Sequence, residues 1–162
     1  MTDPLTGAVP ARELVEALTR RGQTIATAES LTAGLLAATL AGVPGASNVL
    51  RGGLIVYATE LKGALAGVDA DVLNRDGPVA PTTAAQLADG ARARCGADWG
   101  VGLTGVAGPD PQDGLGPGTV FLAVAGPDGT EVTALDLDGD RWEIRLGSVR
   151  SAVSSLLERL SR

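Results

Sequence analysis

Two residue types stand out for chemistry: a serine at a strand-to-helix turn and a single lysine. Ser30 lies in Thr-Ala-Glu-Ser-Leu-Thr-Ala-Gly, residues 27–34, between a short apolar stretch and a second one read as a helix. A serine there suits a nucleophile, because free main-chain N–H groups at a helix start can hold a developing oxyanion. The same position suits a plain helix cap by Ser30 or Thr32. The chain has no histidine, so any base for Ser30 must be another group. Lys62 follows an apolar stretch and is the only lysine, in a chain with twelve arginines. Burial can drive a lysine toward its neutral form near pH 7, whereas arginine stays charged. A solvated lysine on a short helix is the alternative.

Two further stretches carry potential binding groups. Residues 104–117 are dense in glycine and proline, as in loops that cradle phosphates through main-chain N–H groups, but also as in a plain connection. The Gly-Lys-Thr ending of a Walker loop is absent. Arg141 and Arg145 are four apart and share a helix face, where they could clamp an anion or remain solvated. Asp140 is placed to cap that helix.

The elements that must position these residues follow from periodicity and punctuation. Helices are expected from Pro10 to Gly22, Thr32 to Ala41, Glu60 to Leu65 (capped by Thr59), Asp69 to Arg75, Pro81 to Cys95 and Arg141 to Leu160. Strands are expected at Thr24–Ala28, Val49–Tyr57, Trp99–Leu103, Thr119–Ala125 and Thr130–Leu137. The last two flank Gly-Pro-Asp-Gly, a hairpin signal. Helices mixed with strands imply an α/β fold with a mixed sheet covered on both faces. Residues 1–9 read as a disordered tail and 10–162 as one domain.

Bulk composition narrows the function classes. The 162 residues suffice for one core, and with 44% hydrophobic but 2% aromatic residues that core must be Ala, Val and Leu. A net charge of −6 and the lack of a basic cluster argue against duplex DNA as a partner. One cysteine and no histidine exclude a disulfide framework and a structural zinc site. No apolar run approaches membrane-span length, and residues 1–10 lack the features of a signal peptide, so a cytoplasmic location is expected.

In order and spacing, several of these stretches resemble the CinA C-terminal domain family. The matching residues are Ala28-Glu29-Ser30 with Thr32 and Gly34; Val43-Pro44-Gly45; Gly52-Gly53 with Tyr57, Glu60 and Lys62; Thr104-Gly105 with Ala107-Gly108-Pro109; and Gly139-Asp140-Arg141. They span residues 10 to 162. The resemblance implies a three-layer α/β/α sandwich and hydrolysis of nicotinamide mononucleotide to nicotinic acid mononucleotide and ammonia, with no cofactor or metal. By the family's pattern Ser30 is the nucleophile, with Tyr57 and Lys62 as its helpers. Lys62, with Tyr57 as a relay, would take the serine proton. Main-chain N–H groups around Ser30 or Gly105 would hold the oxyanion. The expected substrate-binding positions are Glu29, Thr32, Gly34, Gly52, Gly53, Thr104, Gly105, Gly108 and Arg141. A homo-oligomer, a dimer before other states, is the expected assembly.

Four departures bear on that expectation. Leu31 replaces the family's usual Cys, and Ala80 stands where serine is frequent. Ala33 replaces a glycine, which is tolerable if position 33 is helical. The glycine run after Pro109 becomes Asp110-Pro111-Gln112-Asp113, whose two carboxylates would repel a phosphate unless they point away. Longer family members carry a further N-terminal domain, whose activity does not transfer here. The competing readings are a non-catalytic nucleotide-binding module and an interaction domain linked to competence or DNA damage.

Overall fold

A computed structural model describes residues 3–5 and 7–162 of the chain. The elements run α1 (Ala11–Arg21), β1 (Ile25–Glu29), α2 (Leu35–Ala41), β2 (Leu50–Ile55), α3 (Thr59–Ala66), α4 (Ala70–Asp76), α5 (Pro81–Cys95), β3 (Trp99–Gly105), β4 (Thr119–Gly126), β5 (Gly129–Asp136) and α6 (Arg141–Leu160). Local chemistry sets most of the boundaries. Pro81 opens α5, where its missing N–H has no partner to lose. Gly22, Gly67 and Gly96 end α1, α3 and α5 in the left-handed conformation. Asp140 caps α6 reciprocally with Glu143, each carboxylate accepting the other's main-chain N–H.

The strands form one sheet in the order β2-β1-β3-β4-β5. β1 runs parallel to β2 and β3, while β4 and β5 add antiparallel through the expected hairpin, whose loop is Pro127-Asp128. One sheet face packs on α1, α2 and α6 through residues such as Leu14, Leu36, Leu103, Leu122 and Leu156. The other packs on α3, α4 and α5 through Ala26, Ala28, Val56, Val72 and Leu87, continued by Ala84, Ala88 and Ala123. This is the three-layer α/β/α sandwich with a mixed sheet. Small residues set its tight spacing: a Cβ on Gly100 or Gly102 would meet the carbonyl oxygen of Ala88 at 2.0 Å or Ala84 at 2.5 Å. The main chain of α5 therefore lies directly on β3.

The parallel strands β2, β1 and β3 end side by side, and the chain leaves β1 toward β2 before returning to β3 on the other flank. Ligands of open α/β sheets gather at such a reversal, outside the carboxyl ends of the strands. Ser30 follows the end of β1, Val56 and Tyr57 follow β2, and the 106–118 loop follows β3.

Three sequence expectations change. The helix expected from Thr32 begins at Leu35, and Thr59 is the first residue of α3 rather than its cap. Position 33 is not helical: Ala33 has φ +49°, Gly34 has φ +94°, and residues 31–34 form a turn. Of the expected tail, Met1, Thr2 and Thr6 lie outside the described residues; Val9 is buried in the core, and Arg150 donates to the Ala8 carbonyl.

Exposed Ala33 sits where left-handed backbone costs an L-residue roughly 1–2 kcal/mol. Ala33→Gly removes that strain but adds freedom to the unfolded chain, for a net gain of about 0.5–1 kcal/mol in urea unfolding. Gly102→Ala, forced against the α5 main chain, destabilises by about 1–3 kcal/mol in the same assay.

Candidate active site

Ser30 is held by its surroundings before any partner is considered. Its N–H donates to the Leu103 carbonyl across the β1–β3 boundary at 2.9 Å, and its own carbonyl accepts from Ala33 N–H at 3.0 Å. The preceding Glu29 carboxylate is buried and turned away from solvent. It accepts from Thr27 Oγ1 at 3.0 Å and from the N–H groups of Gly34, Leu36 and Ala37 at 2.9–3.1 Å. Glu29, not Ser30 or Thr32, thus satisfies the start of α2. On the other side Arg145 donates to the carbonyls of Leu31 and Thr32 at 3.0 and 3.1 Å. Its guanidinium braces the turn instead of forming an anion clamp with Arg141.

Lys62 comes from α3 and is the largest of the fully buried side chains, 1% exposed. Its Nζ lies 3.0 Å from Ser30 Oγ, 2.8 Å from the Val56 carbonyl and 3.4 Å from the Tyr57 carbonyl. Burial lowers its pKa from 10.5 to about 8, opposed in part by the nearby Glu60 carboxylate. Roughly a tenth of the molecules therefore carry the free amine at pH 7. A free amine has two N–H groups and one lone pair. The two carbonyls accept the N–H groups, and the lone pair is left to the Ser30 hydroxyl.

A cavity of about 460 Å³ opens over this pair. Ser30 and Lys62 line it together with Tyr57, Thr59, Arg141, the Pro78-Val79 segment and residues 104–112. Arg141 donates from Nη1 to the Gly108 carbonyl at 2.6 Å and from Nη2 to the Tyr57 hydroxyl at 2.9 Å. The Tyr57 phenol therefore pairs with Arg141, and Tyr57 meets Lys62 only through its main-chain carbonyl. That placement removes the phenol relay expected from the sequence. Thr104 donates from Oγ1 to the Pro78 carbonyl at 2.6 Å, fastening one wall to the next. Among the described residues, no three Cys, Asp or Glu side chains cluster to hold a metal ion.

The cavity thus gathers Ser30, Tyr57, Lys62, Thr104, Gly105, Gly108 and Arg141, but not the other expected binding residues. Glu29 and Gly34 build the turn. Thr32 is fully buried, and its hydroxyl finds no partner. Gly52 and Gly53 lie in β2, where a Cβ on Gly53 would meet Thr27 Oγ1 at 2.6 Å and one on Gly52 would face Cys95 Sγ at 3.6 Å. Only at Gly53 does packing demand the missing side chain; at Gly52 a Cβ would make an ordinary contact. Of the two loop carboxylates, Asp110 lines the cavity, whereas Asp113 lines a neighbouring one with Asp76 and Phe121. Sequence reasoning missed the carbonyls of Val56 and Tyr57, which carry no residue-type signal, and the brace from Arg145, whose spacing with Arg141 suggested a shared ligand.

Comparison with known proteins matches the geometry to a family. The family model of the CinA C-terminal domain matches residues 8–160. A CinA-like protein of Frankia casuarinae is 49% identical over 84% of this chain, and a putative competence-damage inducible protein of Geobacillus sp. is 44% identical over 93%. Those stretches cover 31% and 36% of the two relatives, so the chain spans about a third of their length. Among solved structures, the competence/damage inducible protein CihA from Agrobacterium tumefaciens superposes with a TM-score of 0.90 at 34% identity, covering 98% of this chain and 96% of that one. A CinA superfamily protein from Klebsiella pneumoniae 700603 gives 0.92 at 28%, covering 98% and 99%. By sequence over nearly its whole length and by fold, the chain belongs to the CinA C-terminal domain family.

Proposed function

We propose that this domain is a serine–lysine amidohydrolase that converts nicotinamide mononucleotide to nicotinic acid mononucleotide and ammonia. The observation that carries the reading is the 3.0 Å approach of Lys62 Nζ to Ser30 Oγ at the base of the cavity. Neutral Lys62 takes the hydroxyl proton as Ser30 Oγ attacks the carboxamide carbon. The tetrahedral oxyanion is held by main-chain N–H groups, of which that of Leu31, next to the nucleophile, has no main-chain partner among the described residues. Lys62 then returns the proton to the departing nitrogen, which leaves as ammonia. Water, deprotonated by Lys62, attacks the ester on Ser30, releases the acid and restores the hydroxyl. No step needs a metal or cofactor. A small-molecule amide in the cytoplasm is the ligand class that suits a chain of net charge −6; duplex DNA does not. No helix of the described residues is long and apolar enough to cross a membrane.

Ammonia release from nicotinamide mononucleotide, measured in the presence of a chelator, tests this directly. Ser30→Ala lowers turnover about 10³-fold or more while nucleotide affinity stays within a few fold. Lys62→Arg, which cannot deprotonate, is nearly as damaging as Lys62→Ala. If Lys62→Arg keeps most of the rate, the base is elsewhere; if no amide turns over, the domain only binds.

The lysine also fixes two pH dependences. Because the base must be neutral, kcat/KM climbs with pH and levels off above about 8. For stability, the folded state holds fewer protons on Lys62 than the unfolded state between about 8 and 10.5. Wild type therefore gains stability relative to Lys62→Met as pH rises across that window, by about 3 kcal/mol in total, and the difference is flat below pH 8. Urea unfolding of both proteins at pH 7.5 and 10.5 measures it.

A further inference from the structure

The cavity over Ser30 holds one carboxylate and one aromatic ring, those of Asp110 and Tyr57. Asp110 is exposed at the mouth of this cavity and, among the described residues, has no hydrogen-bond or ion-pair partner, so a ligand there would meet its carboxylate in competition only with water. The two cationic side chains lining the same space are already engaged. Lys62 faces Ser30 and two carbonyls, while Arg141 donates to the Gly108 carbonyl and, through the phenol, pins Tyr57 at the rim. A free carboxylate and an aromatic ring on one small cavity suit a delocalised organic cation. The same carboxylate opposes an entering phosphate dianion.

We propose that Asp110 and Tyr57 form a subsite for the positive ring of the substrate, so that the domain selects N1-substituted pyridinium carboxamides by ring charge and needs no phosphate on them. This rests on the amidase reading above and names its substrate class. The amide carbon is attached directly to the ring, so a carboxamide at Ser30 leaves the ring inside the cavity that Asp110 and Tyr57 line. Position 110 lies where the family resemblance leads one to expect glycine, so this charge is a property of the chain's own loop. The loop's other carboxylate, Asp113, faces the neighbouring cavity and adds nothing to the site.

Calorimetry on Ser30→Ala, which traps binding without turnover, separates charge from phosphate with three probes. Nicotinamide riboside carries the cation alone, its 1,4-dihydro form has the same ribose and a neutral ring, and nicotinamide mononucleotide adds the phosphate. The expected result is that the riboside binds at least tenfold tighter than its dihydro form and no weaker than the mononucleotide. Adding Asp110→Asn reduces the preference for the cation at least fivefold and shifts selectivity toward the mononucleotide. Equal binding of the riboside and dihydro forms overturns the proposal. So do a mononucleotide preference of tenfold or more, an Asp110→Asn effect equal on all three probes, and a failure of every probe to bind. Ammonia release by the intact enzyme separates the two readings: the expected binding pattern without turnover of any amide overturns the amidase reading and leaves the cation subsite standing. Turnover without the charge preference does the reverse.

Discussion

The arrangement around Ser30 depends on one buried carboxylate. Glu29 is 1% exposed, and an isolated ionised carboxylate there would cost several kcal/mol. Four donors compensate: the Thr27 hydroxyl and three N–H groups at the start of α2, where the helix dipole also favours negative charge. Those bonds tie the end of β1 to the start of α2 across the left-handed turn at Ala33 and Gly34. Gly53 opposite leaves room for Thr27 to complete the set. Ser30 is therefore held in place without being bonded to that carboxylate: it is simply the residue after the anchor.

The rest of the site is assembled from separate layers. The sheet supplies Ser30 and the 106–118 loop from neighbouring strand ends. From α3, on one side of the sheet, comes Lys62; from α6, on the other, come Arg141 and Arg145. Each layer brings what the others cannot. The strand ends have main-chain donors, α3 reaches a dry position for an amine, and α6 fastens both the turn after Ser30 and the rim.

Much of this could be read from residue types. Twelve arginines and one lysine marked Lys62, the Pro81 and Gly96 punctuation delimited α5, and Gly-Pro-Asp-Gly located the hairpin. The turn at 31–34 was harder, because its apolar pattern is helical and its actual path follows from long-range bonds to Glu29 and Arg145. Gly52 and Gly53 look like ligand-facing glycines in a string of letters; both lie in β2 away from the cavity, and the position of Thr27 shows Gly53 to be a spacer. The opposite facings of Asp110 and Asp113 come from the tight turn at 112–115, where Gln112 and Leu115 bond reciprocally and Asp113 takes φ +50°. Nothing in residue identity distinguishes the two aspartates.

The fork of Arg141 has a further effect. It joins Tyr57, between β2 and α3, to Gly108, beyond β3, so that one side of the mouth is a hydrogen-bonded bridge. An extended polypeptide can reach a serine nucleophile only if both of its ends run out across the surface. On the amidase reading, a bridged rim would oppose that passage and leave a small molecule to enter end-on. If Ser30 is the activated nucleophile proposed above, its guard against indiscriminate proteolysis is that single guanidinium.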